Sequence, residues 1–292
     1  IHVFPDLNLV VVFTNDLTPG SANAMQNVAL MSDYVLPAAL GTDWSVAFPW
    51  AWPALVGLSL LALLWDLDRH RPRPWAVWLS WAWIVLVFGP LGLGAYWITS
   101  RGDRDREAYW PRALAASLYC AAGNAAGFCL LFILVAFLQP QVDLLLPALV
   151  FPLLVGWLAF RAPAFAHQAG QGYGRALRRT LLAEVSTALP ALAGMLPAII
   201  LLQSRWFPAG NLNPADPLFW LMIGTAATAG VLLAYPINYW LARRGFATWP
   251  VAPGEDGGDR PGAPSLRSAW WAPLAGIVVL VAALGLALTA LS

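Results

Sequence analysis

The chain has 292 residues, 60% of them hydrophobic and 11% charged, with sixteen basic and fifteen acidic side chains and a mean hydropathy of +0.65. A soluble domain carries roughly 25% charged residues, so this composition excludes an ordinary water-soluble globule and makes the lipid bilayer the chain's first partner. A net charge of +1 argues against a nucleic-acid partner, and because every basic residue is Arg, no lysine nucleophile or base exists.

The chain opens with IHVFPDLNLVVVFTNDLTPG, which reads as a β-hairpin arm. Residues 4–13 are apolar and β-branched, with a Pro-Asp turn near their start, and predict strand. The turn cluster TNDLTPGS follows. A short helix is expected from Ser21, its N-cap, to Leu36, with Pro37 just past its end and Ala24, Val28, Met31 and Val35 on one face. Some forty residues of strand, turn and helix cannot bury a core alone, so residues 1–46 are expected to pack on a body outside this sequence.

Long apolar runs then begin, each near the ~20 residues that span a bilayer. They lie at about 47–65, 75–99, 113–138, 144–161, 181–203, 218–242 and 270–291, and predict an all-α integral membrane protein of about seven transmembrane helices. Residues 47–249 form a six-helix body, 250–269 a Gly/Pro-rich linker, and 270–292 a terminal helix. Prolines inside the runs, among them Pro90, Pro152, Pro190, Pro197 and Pro236, predict kinks that neighbouring helices compensate. The seventeen Trp suit the headgroup level. Loops 100–112, 162–180 and 243–269 are rich in Arg and are expected in the cytoplasm of a multi-pass plasma-membrane protein. With seven spans, residues 1–46 share that side. The loop 66–74 is also basic, with Arg69, Arg71 and Arg73, and pulls the other way.

Glu184 is the one carboxylate inside a predicted span. A buried acid is either functional or neutralised; here it lines a site, snorkels to the interface, or pairs with neighbouring Arg178 and Arg179. Thr187 lies one turn on and is placed to bond across helices. Asn124 sits in Gly123-Asn-Ala-Ala-Gly127, whose spacing lets helices approach closely; its amide either bonds across that gap or faces a solute. Asn238, just before Arg243 and Arg244, is an interface anchor or a member of the same polar site. Cys120 and Cys129 stand about 13 Å apart along a helix, too far for a disulfide, and read as small buried hydrophobes. His2, His70 and His167 are scattered, and no metal-ligand, phosphate-loop or nucleophile-elbow spacing occurs. No cofactor is expected, and no catalytic residue in the chain as given.

Two resemblances add to this. The opening run, with ALMSDYVLPAAL after it, resembles the C-terminal end of serine hydrolases of the β-lactamase and penicillin-binding superfamily. It covers about forty residues and none of that superfamily's Ser-x-x-Lys chemistry. It implies a hydrolase body before Ile1, in keeping with the missing initiator Met, and makes residues 1–46 a strand-turn-helix remnant of that domain. Such hydrolases often work outside the cytoplasm. Residues about 60–249, through WDLDRHRPRPWAVWLSWAWIVLVFGPLGLGAYW, CAAGNAAGF, AFRAPAF, AEVSTALPALAGM and FWLMIGTAATAGVLLAYPINYWLARRGF, resemble the uncharacterised bacterial membrane family known as domain of unknown function 4396. The resemblance implies acidic residues where this chain has Asn124, Phe128 and Leu192, with Glu184 standing for an Asp; most of that buried charge is absent here. The expected function is a membrane anchor or interaction module behind a serine hydrolase. The alternative is a small-solute or ion transporter lined by Glu184, Asn124, Thr187 and Asn238.

Overall fold

The computed structural model describes residues 2–4, 9–11, 44–69, 75–100, 109–138, 145–170, 172–207, 212–244 and 271–290. The helix expected over Ser21–Leu36 and the linker 250–269 lie outside them. The chain divides into two units, Ile1–Ala54 and Leu55–Ser292. In the first, β1 (His2–Phe4) pairs antiparallel with β2 (Leu9–Val11), in the register His2↔Val11, Val3↔Val10 and Phe4↔Leu9. Instead of a single strand over 4–13, two three-residue strands flank the Pro-Asp signal. Helix α1 (Trp44–Arg69) runs across the boundary between the units.

The second unit is helical: α2 (Trp75–Phe88), α3 (Pro90–Ser100), α4 (Tyr109–Leu138), α5 (Leu145–Val155), a π-helical stretch (Gly156–Arg161), α6 (Ala162–Ala169), α7 (Tyr173–Trp206), α8 (Pro217–Arg243) and α9 (Trp271–Thr289). Five helices among the described residues are long and apolar enough to cross a membrane: Trp50–Leu67, Tyr109–Leu138, Leu145–His167, Tyr173–Trp206 and Pro217–Arg243. The expected second span does not reach that length. The expected seventh corresponds to α9, 19 residues long, in which the described apolar stretch is Pro273–Thr289.

The second expected span fails for a more informative reason: it doubles back. Gly89 takes a left-handed φ of 56°, a conformation open to Gly for want of a Cβ, and Pro90 starts a new helix. Trp81 and Tyr96, which one straight helix would hold about 22 Å apart, meet edge to face with ring centroids 5.3 Å apart. A Cβ on Gly92 would lie 2.9 Å from the Ile84 carbonyl oxygen. Gly89 is buried and bonded on both sides, its N–H donating to Val85 O at 2.7 Å and its O accepting from Leu93 N–H at 3.2 Å. Buried within protein, such a turn is tolerated at membrane depth. Thus α2 and α3 form a helical hairpin with both ends on one side.

Small residues line the seams where α4, α7 and α8 meet, while large apolar side chains such as Phe88, Phe128 and Phe219 fill the rest of the core and others face outward. Along α4 the buried face is mostly Ala, with Gly123 and Gly127; Leu58, Leu61, Leu79, Phe137, Leu232 and Val278 are exposed, as a lipid-facing surface requires. Lipid supplies no hydrophobic drive between helices, so close backbone approach must. A Cβ on Gly194 of α7 would lie 2.4 Å from Ala229 O of α8, and one on Gly230 2.9 Å from Ala191 O. Ala188 and Ala191 meet Ala234 and Cys120, while Ser117 meets Asn238. These pairings run α8 antiparallel to α7 and to α4. The start of α4, the start of α7 and the end of α8 therefore share one end of the bundle. Tyr96 near the end of α3 donates to Asp66 Oδ2 near the end of α1 at 2.9 Å, which brings α1's C-terminus to that end too. Arg69, Arg112, Arg175, Arg178, Arg179, Arg243 and Arg244 all lie there; at the opposite end stands Arg205.

Candidate functional site

The helix from Leu145 to Ala169 holds the site's unusual backbone. Pro152 lies inside α5 and lacks an N–H; four residues on, the chain widens into the π-helical stretch, and Ala162 N–H donates to Trp157 O. A widened turn of this kind often marks a functional or strained position. Hydroxyls from other helices tie its carbonyls down. Tyr119 of α4 donates to Phe160 O at 2.8 Å, and Tyr173 of α7 donates to Leu158 O at 2.8 Å. Trp157 Nε1 donates to Thr180 Oγ1 at 3.1 Å. The hairpin is anchored alongside by Trp83 Nε1, which donates to Ala122 O at 2.8 Å.

The widened turn carries Arg161 into the bundle. Its Nε pairs with Glu184 Oε2 of α7, and its Nη2 donates to Thr187 Oγ1 at 2.9 Å. All three side chains are buried, Glu184 at 1% exposure. Thr187 passes its own proton back along α7, to Ala183 O at 3.0 Å or Glu184 O at 3.2 Å. Glu184 Oε1 and Asn124 Oδ1 converge on Gly156: a Cβ there would meet them at 3.1 and 3.2 Å. Gly156 thus leaves room for both oxygens, which an added methyl would press back by a few tenths of an ångström. On its other side Asn124 Nδ2 faces Cys120 Sγ at 3.9 Å. Asn124 Oδ1 and Asn238 Oδ1 have no hydrogen-bond partner among the described residues.

Glu184, Thr187 and Asn124 thus come together as one polar layer. Asn238 stands apart from it, buried, with Nδ2 donating to Ser117 Oγ at 2.9 Å and Ser117 donating to Ala113 O at 2.8 Å. It joins α8 to α4 and is no interface anchor. Glu184 takes its counter-charge from Arg161, since Arg178 and Arg179 point outward and are exposed. Thr187 does bond across helices, as expected. The Asn124 amide bonds on its own helix, while its neighbours Gly123 and Gly127 provide the close approach. A Cβ on Gly127 would lie 2.3 Å from Pro152 Cα, and one on Gly123 3.2 Å from Gly156 Cα. Sequence reasoning missed Arg161, Gly156 and Ser117. The signal for Arg161 was an arginine ending an apolar run, two residues before Pro163.

Chemically the layer is a neutral clasp. Each buried ion costs several kcal/mol to desolvate, offset here by mutual attraction and added hydrogen bonds. With Arg161 on one carboxylate oxygen, Glu184 is a poor general base. Both cysteines are buried thiols, and among the described residues no three His, Cys, Asp or Glu side chains gather as metal ligands.

Long apolar helices, seams of small residues and, among the described residues, one internal ion pair define a polytopic helical membrane domain. The family model for the Domain of unknown function (DUF4396) matches residues 109–246, from α4 through α8, which hold the whole polar layer. The α2–α3 hairpin, within the wider stretch 60–249 where resemblance was expected, lies outside the match. No curated protein and no solved structure matches the chain.

Proposed function

We propose that this chain is a membrane anchor and interaction domain, without catalysis of its own, carried behind a serine-hydrolase-like domain that works outside the cytoplasm. The observation that carries this reading is the doubling back of α2 and α3. A hairpin that does not cross leaves the segments before and after it on one side, so the basic stretch 66–74 no longer opposes 100–112. Nearly every arginine then belongs to a single face, and the positive-inside rule assigns that face to the cytoplasm. One crossing by α1 delivers residues 1–43 to the opposite compartment. That reverses the side expected for the N-terminal segment from seven spans, and suits a resemblance to hydrolases that often act outside. Single cysteines at Ser21 and Ser265 test it. In intact cells a membrane-impermeant maleimide is expected to label Ser21→Cys and to reach Ser265→Cys only after permeabilisation. Labelling of both from one side would end this reading.

One observation favours a second reading, passage of a small ion: Asn124 Oδ1 and Glu184 Oε1 both face Gly156 at the start of a widened turn, where an intramembrane acid is a default functional candidate. Thr187 and Asn238 would extend the path. In vesicles, that reading requires Glu184→Gln to cut ion flux at least tenfold relative to wild type. The anchor reading expects equal background flux in both.

A further inference from the structure

The last turn of α8 sets Trp240, Arg243 and Arg244 three and four residues apart, hence on one face. Together they line a cavity of about 260 Å³. Both arginines are exposed and Trp240 is half-buried. The Arg244 guanidinium lies 5.2 Å above the Trp240 ring, which steadies one charged group against the indole without consuming its N–H donors. Tyr235 and Tyr239, half-buried with ring centroids 6.1 Å apart, continue the same helix inward and mark headgroup depth. Arg112, Arg175, Arg178 and Arg179 stand at the same end of the bundle. Among the described residues no carboxylate lines the cavity.

We propose that Trp240, Arg243 and Arg244 form a binding site for a phosphate group, borne by an anionic phospholipid of the adjoining leaflet. Guanidinium forks match phosphate oxygens in pairs. The indole offers an apolar wall to the glycerol and first methylenes. The cavity falls just below the roughly 300–1,000 Å³ of sites for small molecules, which suits a headgroup fragment. This site stands whether or not a hydrolase precedes the chain.

Native mass spectrometry of the detergent-purified chain tests this, with phosphatidylglycerol, phosphatidylcholine and inorganic phosphate as separate titrants. Phosphatidylglycerol is expected to stay bound where phosphatidylcholine does not, with inorganic phosphate much weaker. The Arg243→Gln/Arg244→Gln variant is expected to hold phosphatidylglycerol roughly thirtyfold less tightly, since each basic residue near an anionic surface contributes about 1 kcal/mol. Arg205→Gln, at the other end, is expected to leave it unchanged. Should the double Gln variant not elute as folded protein, Arg243→Lys/Arg244→Lys is read in its place, with a loss of roughly threefold because the fork is gone. Equal retention of the two lipids overturns the proposal, as does undiminished retention in a folded variant. Inorganic phosphate bound as tightly as phosphatidylglycerol would overturn the lipid assignment.

Discussion

Glu184→Ala is expected to lower the unfolding free energy by about 3–5 kcal/mol, the usual cost of stranding one partner of a buried ion pair. The Arg161 guanidinium would keep its charge inside the bundle and lose its counter-ion, retaining only the hydrogen bond to Thr187. Arg161→Ala is expected to cost a similar amount, for the mirror-image reason. The double variant Arg161→Met/Glu184→Leu is expected to recover most of the loss, because two apolar side chains of similar size need no desolvation. The four proteins form a cycle whose interaction energy is that of the clasp. Reversible unfolding in mixed detergent micelles measures it. A Glu184→Ala variant within 1 kcal/mol of wild type would mean that the pair is not formed. The same series separates stability from passage: an anchor loses stability with no change in vesicle permeability, whereas a conduit changes its flux.

The sequence made the apolar helices legible because length and hydrophobicity suffice for them. The runs at 47–65, 113–138, 144–161, 181–203 and 218–242 each overlap a long apolar helix. It hid the reversal at Gly89. Apolar periodicity is blind to direction, and twenty-five apolar residues in a row look the same whether they cross or return. The arginines flanking that run on both sides were the physical clue, since a crossing segment seldom has positive charge at both ends. Glu184 stood out as a lone acid in an apolar setting. Its partner did not, because Arg161 and Pro163 together read as the end of a helix. The widened turn carries the helix onward to Ala169 instead and swings Arg161 inward. A two-residue signal cannot reveal that; it takes Tyr119 and Tyr173, from two other helices, to hold the turn's carbonyls.

Gly127→Ala is the sharpest probe of how that turn is seated. The added methyl would lie 2.3 Å from Pro152 Cα and 3.1 Å from Pro152 N, so it meets backbone and ring with no flexible side chain to yield. Helices α4 and α5 must separate, and overpacking of this kind costs about 1–3 kcal/mol. Gly194→Ala faces the same difficulty across α7 and α8, 2.4 Å from Ala229 O and 2.6 Å from Ala229 C. Gly94→Ala supplies the contrast: nothing lies within 4 Å of its new methyl, and a change within about 0.5 kcal/mol is expected. The effect of Gly127→Ala should also travel. Pro152 and Gly156 ride in the groove that Gly127 and Gly123 leave open, and Arg161 follows on the same helix. Pushing that helix out by a fraction of a methyl's width draws Arg161 away from Glu184. In a Glu184→Leu/Arg161→Met background, where no pair remains to be stretched, Gly127→Ala is therefore expected to cost less than in wild type. Equal costs in the two backgrounds would mean that groove and clasp are independent; a Gly127→Ala cost no larger than that of Gly94→Ala would mean that α4 and α5 are not in contact at all.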